Sequence, residues 1–382
     1  MHRNLLSLAL LAAFVGGCAT HKPTPVPVTE VPAGSFVTAW SAPSDLKKVS
    51  KFYLENNTLV AFDPKNKVVG FDTKGALKFQ TSVAEPEDVV GPPMVQADRI
   101  IFPTSATLEI FTTNGVHLKS LQLKQPLRSP GVAIDQTVYV GIDSETGGRL
   151  AAIALDRPYD IYRWTALTQS VIYTRPAVHD NVVFVATENG RVIAINANRS
   201  LLWPKAPEMP DSIFHTDGQI LSALTADEGG IYVPSTDTKL YCLEPNTGRI
   251  RWTYYAGVPV THSAVPTSDT VYVLIDGQGL VALDKKANGT TRNPRWTYAD
   301  GKQLLSDDAK NAYVLTNSGT IVALDKATGK VRFESQNTHL AFAATHVDPK
   351  DATIFGVTKD WQVVAIKPVL RGGVVGSLAL AW

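Results

Sequence analysis

Cysteine is nearly absent: Cys18 and Cys242 are the only two in 382 residues, so a disulfide-stapled scaffold is excluded. Cys242 sits in an apolar strand pattern, Leu240-Tyr241-Cys242-Leu243, and reads as a small buried hydrophobe, not a nucleophile. No sign of charge dominates, because 36 Lys and Arg face 35 Asp and Glu. Such a balance gives no footprint for nucleic acid and no acidic tail. There is no adjacent cysteine pair, no Cys-x-x-Cys-His haem site, no Gly-x-Ser-x-Gly elbow and no phosphate loop. The eight histidines are scattered, and His339 with His346 lacks the spacing of a zinc motif. Long stretches of 3.6-residue periodicity are missing, which argues against helical solenoids. The Asp and His residues of the turns read as turn formers. Neither a catalytic, a metal-binding nor a cofactor-binding residue is therefore assigned, and the chain is expected not to be an enzyme.

What is present begins at the N-terminus. A basic tip, Met1-His2-Arg3-Asn4, precedes an apolar run over residues 5–15 and then Gly16-Gly17-Cys18. That order describes a secretory signal peptide over 1–17, and the run falls short of the roughly 20 apolar residues of a spanning helix. Val15-Gly16-Gly17-Cys18 resembles the lipobox of bacterial lipoproteins. The resemblance implies that Cys18 is lipidated after cleavage. Several acyl chains give stable attachment where one is marginal, at about 0.8 kcal/mol per buried methylene. Ala19 follows, not the Asp that retains such proteins in the inner membrane, which favours the outer membrane and its periplasmic side. Pro23, Pro25, Pro27 and Pro32 then make residues 18–34 a semi-rigid, poorly ordered tether.

Beyond the tether one pattern recurs. Short apolar strands centred on an aromatic carry Phe62, Phe102, Tyr139, Phe184, Tyr232, Tyr272, Tyr313 and Phe355, at intervals of 40, 37, 45, 48, 40, 41 and 42 residues. Most are followed by a hairpin whose second strand ends in a ring: Phe79, Trp164, Trp203, Trp252, Trp296 or Phe333. Two hairpins per period make a four-stranded sheet, and such sheets bury both faces only when stacked radially. The expected fold is all-β: an eight-bladed β-propeller over 35–368. Its last copy lacks an outer strand, and Phe36-Val37-Thr38-Ala39-Trp40 supplies it, closing the ring. A C-terminal apolar tail, 369–382, follows.

The runs Ala323-Leu324-Asp325-Lys326-Ala327-Thr328-Gly329-Lys330 and 242–252, closing on Trp252, resemble the tryptophan-docking repeat of quinoprotein (PQQ-like) propellers. That superfamily includes PQQ-dependent dehydrogenases and BamB-type lipoproteins of the outer-membrane β-barrel assembly machinery. Lipobox, tether, the Thr-Ala-Trp strand and eight blades together are similar to the BamB type. The resemblance implies a non-catalytic, lipid-anchored scaffold with a protein partner, the assembly machinery, and outer-membrane lipid bound through acylated Cys18. It departs from the type where the partner loop should carry Leu-x-Leu-Arg: residues 169–176, ending Thr174-Arg175-Pro176, do not, and 219–224 lacks the Asp pair. The dehydrogenases' adjacent-cysteine disulfide is also missing, although a small-molecule or redox role on this fold is the alternative.

Binding residues are sought where the period is longest. An insert over 204–218 carries Met209, Ile213 and Phe214, apolar residues in a loop between blades that could form a partner-binding patch or tuck against the propeller. Arg175 is a further candidate contact.

Overall fold

A pattern of period two with a ring at the strand centre builds blades only if every strand finds its neighbour, and here each does. The computed structural model describes residues 30–83, 89–145, 147–157, 160–196, 201–203, 214–286, 289–335, 339–370 and 373–374. All regular structure in the elements assigned there is β. Eight blades of four antiparallel strands follow in order, blades 1 (51–82), 2 (94–122), 3 (132–167), 4 (177–203), 5 (225–255), 6 (265–298), 7 (301–334) and 8 (340–369 with 35–43), and Thr291–Arg292 adds a parallel fifth strand at the outer edge of blade 5. We letter the strands A to D, from the axis outward. The A–B and C–D turns then form the lower face, and the B–C and D–A connections form the upper face.

The eight rings predicted as anchors all lie on strand B and are among the largest fully buried side chains. From blade 3 onward they share one register. Tyr139 faces Ala152, which faces Trp164; the same line runs Phe184–Ala194–Trp203, Tyr232–Cys242–Trp252, Tyr272–Ala282–Trp296, Tyr313–Ala323–Phe333 and Phe355–Ala365–Trp40. The small middle residue lets the two rings meet over it. Tyr139 and Trp164 lie 5.9 Å apart between centroids, and Tyr272 and Trp296 lie 5.8 Å apart. Blades 1 and 2 depart from this line. In blade 1 it reads Val60–Gly70–Phe79, with Phe62 two residues further on; in blade 2 it reads Ile101–Ile110–Lys119, with Phe102 one residue further on and facing Glu109. The early anchors are thus correctly placed on strand B but out of phase with the others.

Three closing indoles, those of Trp203, Trp296 and Trp40, also reach the next blade. The Nε1 groups of Trp203 and Trp296 donate to Pro245 O at 2.7 Å and Lys326 O at 2.8 Å. Glycines in the C–D turns make room: a Cβ on Gly248 or Gly329 would stand 2.8 or 2.6 Å from the docked ring, and both glycines hold φ near +70°. Asp325 ties the turn of blade 7 by accepting from the backbone of Ala327 and Thr328. The Arg332 guanidinium and these bonds hold its carboxyl at about 2.

Closure follows the same rule. Ser35–Pro43 pairs with Gln362–Val369 as strand D of blade 8, and the Trp40 indole docks on blade 1, donating to Thr73 O at 3.1 Å beside Gly75. The stretch expected to be a tether ends in structure, because Glu30–Val31 pairs with Gly373–Val374 at the start of the C-terminal tail. The signal peptide and Cys18 lie outside the described residues.

Candidate functional site

Because the blades repeat, the scaffold places equivalent residues at equivalent points, and an exposed apolar side chain at only some of them is not demanded by the fold. The segments leading into strand A show this. Val171 O accepts from Glu188 N, and Gln219 O accepts from Thr236 N, which aligns 171–176 with 219–224. Ile172 and Ile220 are buried at the next position, while Tyr173 and Leu221 after them are 48% and 50% exposed. A second equivalent pair lies three residues beyond the closing tryptophan of blades 3 and 5, where Leu167 and Tyr255 are 56% and 59% exposed. All four belong to upper-face connections or strand ends of blades 3–5, so the fold gathers them on one rim. On the lower face the exposed apolar residues about strand D starts, Val116 with Leu118, Ile250 and Val331, are separated on blades 2, 5 and 7. Contiguous apolar exposure marks a contact surface; single exposed residues do not.

Polar groups brace this rim. Gln169 pairs with Arg191, Asp217 with Lys239 at 3.5 Å, and Gln219 Nε2 donates to Glu188 Oε1 at 3.4 Å. The Lys239 ammonium stands 5.9 Å from the Tyr255 ring, adding a cation beside the apolar rim.

Of the residues proposed from sequence, Met209 and Ile213 lie outside the described residues. Contrary to the expectation of a loop between blades, the residues on both sides of the insert belong to the outer edge of blade 4. Trp203 ends one part of strand D of blade 4, and the strand resumes beyond the insert, where His215 bridges to Arg191 and Phe214 O accepts from Val192 N. Phe214 is buried, its ring edge-on to Tyr241 at 5.1 Å, in the packing role weighed for it. An acidic substitution there would bury a carboxylate and test packing instead of docking. Arg175 points inward: its guanidinium donates to Glu55 Oε1 at 2.6 Å and Oε2 at 3.1 Å, and its Nε donates to Gly131 O at 3.1 Å. Sequence reasoning missed Leu167, Tyr173, Leu221 and Tyr255. Their signal was the internal alignment of connections, which shows apolar residues at positions held by Arg128 and Thr261 on neighbouring blades.

The other chemistry is structural. Burial pushes the Cys242 thiol up to about 12, and its sulfur sits 3.7 Å from Gly229 O. Glu109 takes bonds from Thr107, Ser120 and His117, but the one ring nitrogen, Nε2, serves both the glutamate and the serine, unlike a nucleophilic triad in which the two nitrogens divide those roles. Among the described residues no three His, Cys, Asp or Glu side chains gather as metal ligands.

The fold is an eight-bladed β-propeller, and its docked tryptophans resemble those of the PQQ-like propellers. Residues 200–336 match the family model described as outer membrane protein assembly factor BamB. Over 90% of this chain the fold is that of BamB from Moraxella catarrhalis (98% of that chain, 15% identity, TM-score 0.62). A computationally designed protein, Ika8, is also similar (89% of this chain and 98% of that one, 13% identity, TM-score 0.58). So is a europium-containing methanol dehydrogenase (86% and 84%, 12% identity, TM-score 0.55). No curated protein sequence matches. The chain resembles the BamB-type PQQ-like propellers.

Proposed function

We propose that this protein is a non-catalytic scaffold that docks a protein partner on the upper rim of blades 3–5, as a BamB-like accessory of outer-membrane β-barrel assembly. The observation that carries the reading is the exposed row Leu167, Tyr173, Leu221 and Tyr255, at positions where the repeat itself requires no apolar side chain. The match of residues 200–336 to the BamB description supports the choice of partner class.

A lipid on Cys18 would hold the molecule to the periplasmic side of the outer membrane. Because strand D of blade 8 starts at the lower face, the chain from Cys18 arrives there and the docking rim lies on the opposite face. The alternative, a quinone-dependent oxidoreductase, is disfavoured by the donor set. Adjacent cysteines are missing, and the Arg175–Glu55 ion pair joins blades 4 and 1. Those blades are not neighbours in the ring, so the pair bridges between non-adjacent blades.

Affinity capture from crosslinked cells, with mass spectrometry of the partners, tests the proposal. Wild type should recover the barrel-assembly machinery, and the double variant Tyr173→Asp/Leu221→Asp should lose it while keeping its melting temperature. Undiminished capture by that variant would retire the rim, and quinone-dependent dye reduction would favour the alternative.

A further inference from the structure

The Arg175–Glu55 pair has no counterpart in the repeat. The aligned connection into blade 5 carries Ala223 at the position of Arg175, so the fold does not need a cation there. The pair is bidentate, both side chains are mostly buried at 28% and 20% exposure, and the third guanidinium bond ties blade 3 through Gly131 O. Forked, charge-assisted pairs of this kind are the strong ones, and they fix geometry as well as energy.

Arg175 also ends the segment that presents Tyr173. The far limb of that segment is held by Glu188 N donating to Val171 O at 2.8 Å and by Ile172 packed in the core between blades 3 and 4. Tyr173 is thus outward between two buried neighbours, Ile172 and Thr174, with one limb fixed by backbone and the other by a bar to a blade that is not its neighbour.

We propose that the Arg175–Glu55 bar is a positioning device: it sets the conformation of 169–176 from a non-adjacent blade, so that Tyr173 meets the partner already in place. The inference rests on the docking reading for its purpose, but not for its test. Preorganisation of this kind saves ordering entropy on binding.

Hydrogen exchange on the free full-length protein tests it. In Glu55→Gln, the Glu188 amide, which donates to Val171 O, should exchange at least about tenfold faster, the loss of one charge-assisted pair, while strands B and C of blade 1, which carries the substitution, keep wild-type rates. The charge swap Glu55→Arg/Arg175→Glu should restore the wild-type rate of the Glu188 amide. Unchanged exchange of that amide in Glu55→Gln, or equal acceleration in all blades, would overturn the proposal. Because no partner is present, failure here would leave the docking rim standing, and loss of the rim would leave the bar standing.

Discussion

A glycine that receives a neighbouring indole does two things at once, and the residue scale separates them. Gly329 holds φ +70° and would put a Cβ 2.6 Å from Trp296, whereas Gly277 holds φ +77° with nothing within 4 Å. Gly277→Ala should therefore cost only the backbone term, about 1 kcal/mol, and Gly329→Ala should cost that plus about 1–3 kcal/mol of overpacking. Denaturant melts of the two variants compare them directly.

Lys326 is the second informative residue. Its ammonium, nearly buried between blades 6 and 7, lies 2.6 Å from Asp269 and 2.7 Å from Asp307. Burial would raise the Asp269 carboxyl, but the bond and charge of Lys326 outweigh it and hold that carboxyl low. Burial would lower Lys326, yet the two acids raise it. The contribution is therefore complete between the ordinary values of 3.8 and 10.5. It is lost as pH falls through the lowered Asp269 pKa, and again as pH rises through the raised Lys326 pKa. Lys326→Met should destabilise by about 3–5 kcal/mol at neutral pH by stranding buried Asp307. It should also flatten both flanks of a melting-temperature profile against pH. At this scale the sequence showed which rings are buried but not which acids meet Lys326, because Asp269 stands on the neighbouring blade and Asp307 at the far end of another strand of its own blade.

Elements tell a related story. The hairpins and the closing strand were legible because period-two alternation, turn glycines and a terminal ring coincide within a dozen residues. Phase was less legible: Phe62 and Phe102 fit the spacing, yet Val60 and Ile101 occupy the equivalent sites. An aromatic one or two residues away satisfies the interval equally well, and only cross-strand register distinguishes them. The insert of blade 4 failed for a like reason, since nothing local announces that strand D resumes at Phe214 after an interruption. Closure gives this scale its prediction. Trp40→Ala removes the ring that docks blade 8 on blade 1 and should cost about 3–5 kcal/mol. Amide exchange should rise first in blades 8 and 1. Equal acceleration around the ring would instead mean that no seam exists.

For the whole molecule, eight copies of one unit leave little freedom in the fold and much in its connections. That division explains why architecture was readable from spacing, whereas the docking rim emerged only when connections were aligned in three dimensions. It also separates the two faces, with the chain from the N-terminus arriving below and the apolar row standing above. The most direct measurement is site-specific photocrosslinking in cells, with the probe placed in turn at positions 173, 221, 250 and 331. The account predicts discrete partner adducts from 173 and 221 and none from 250 and 331. Adducts confined to 250 and 331, or none from 173 and 221, would contradict it.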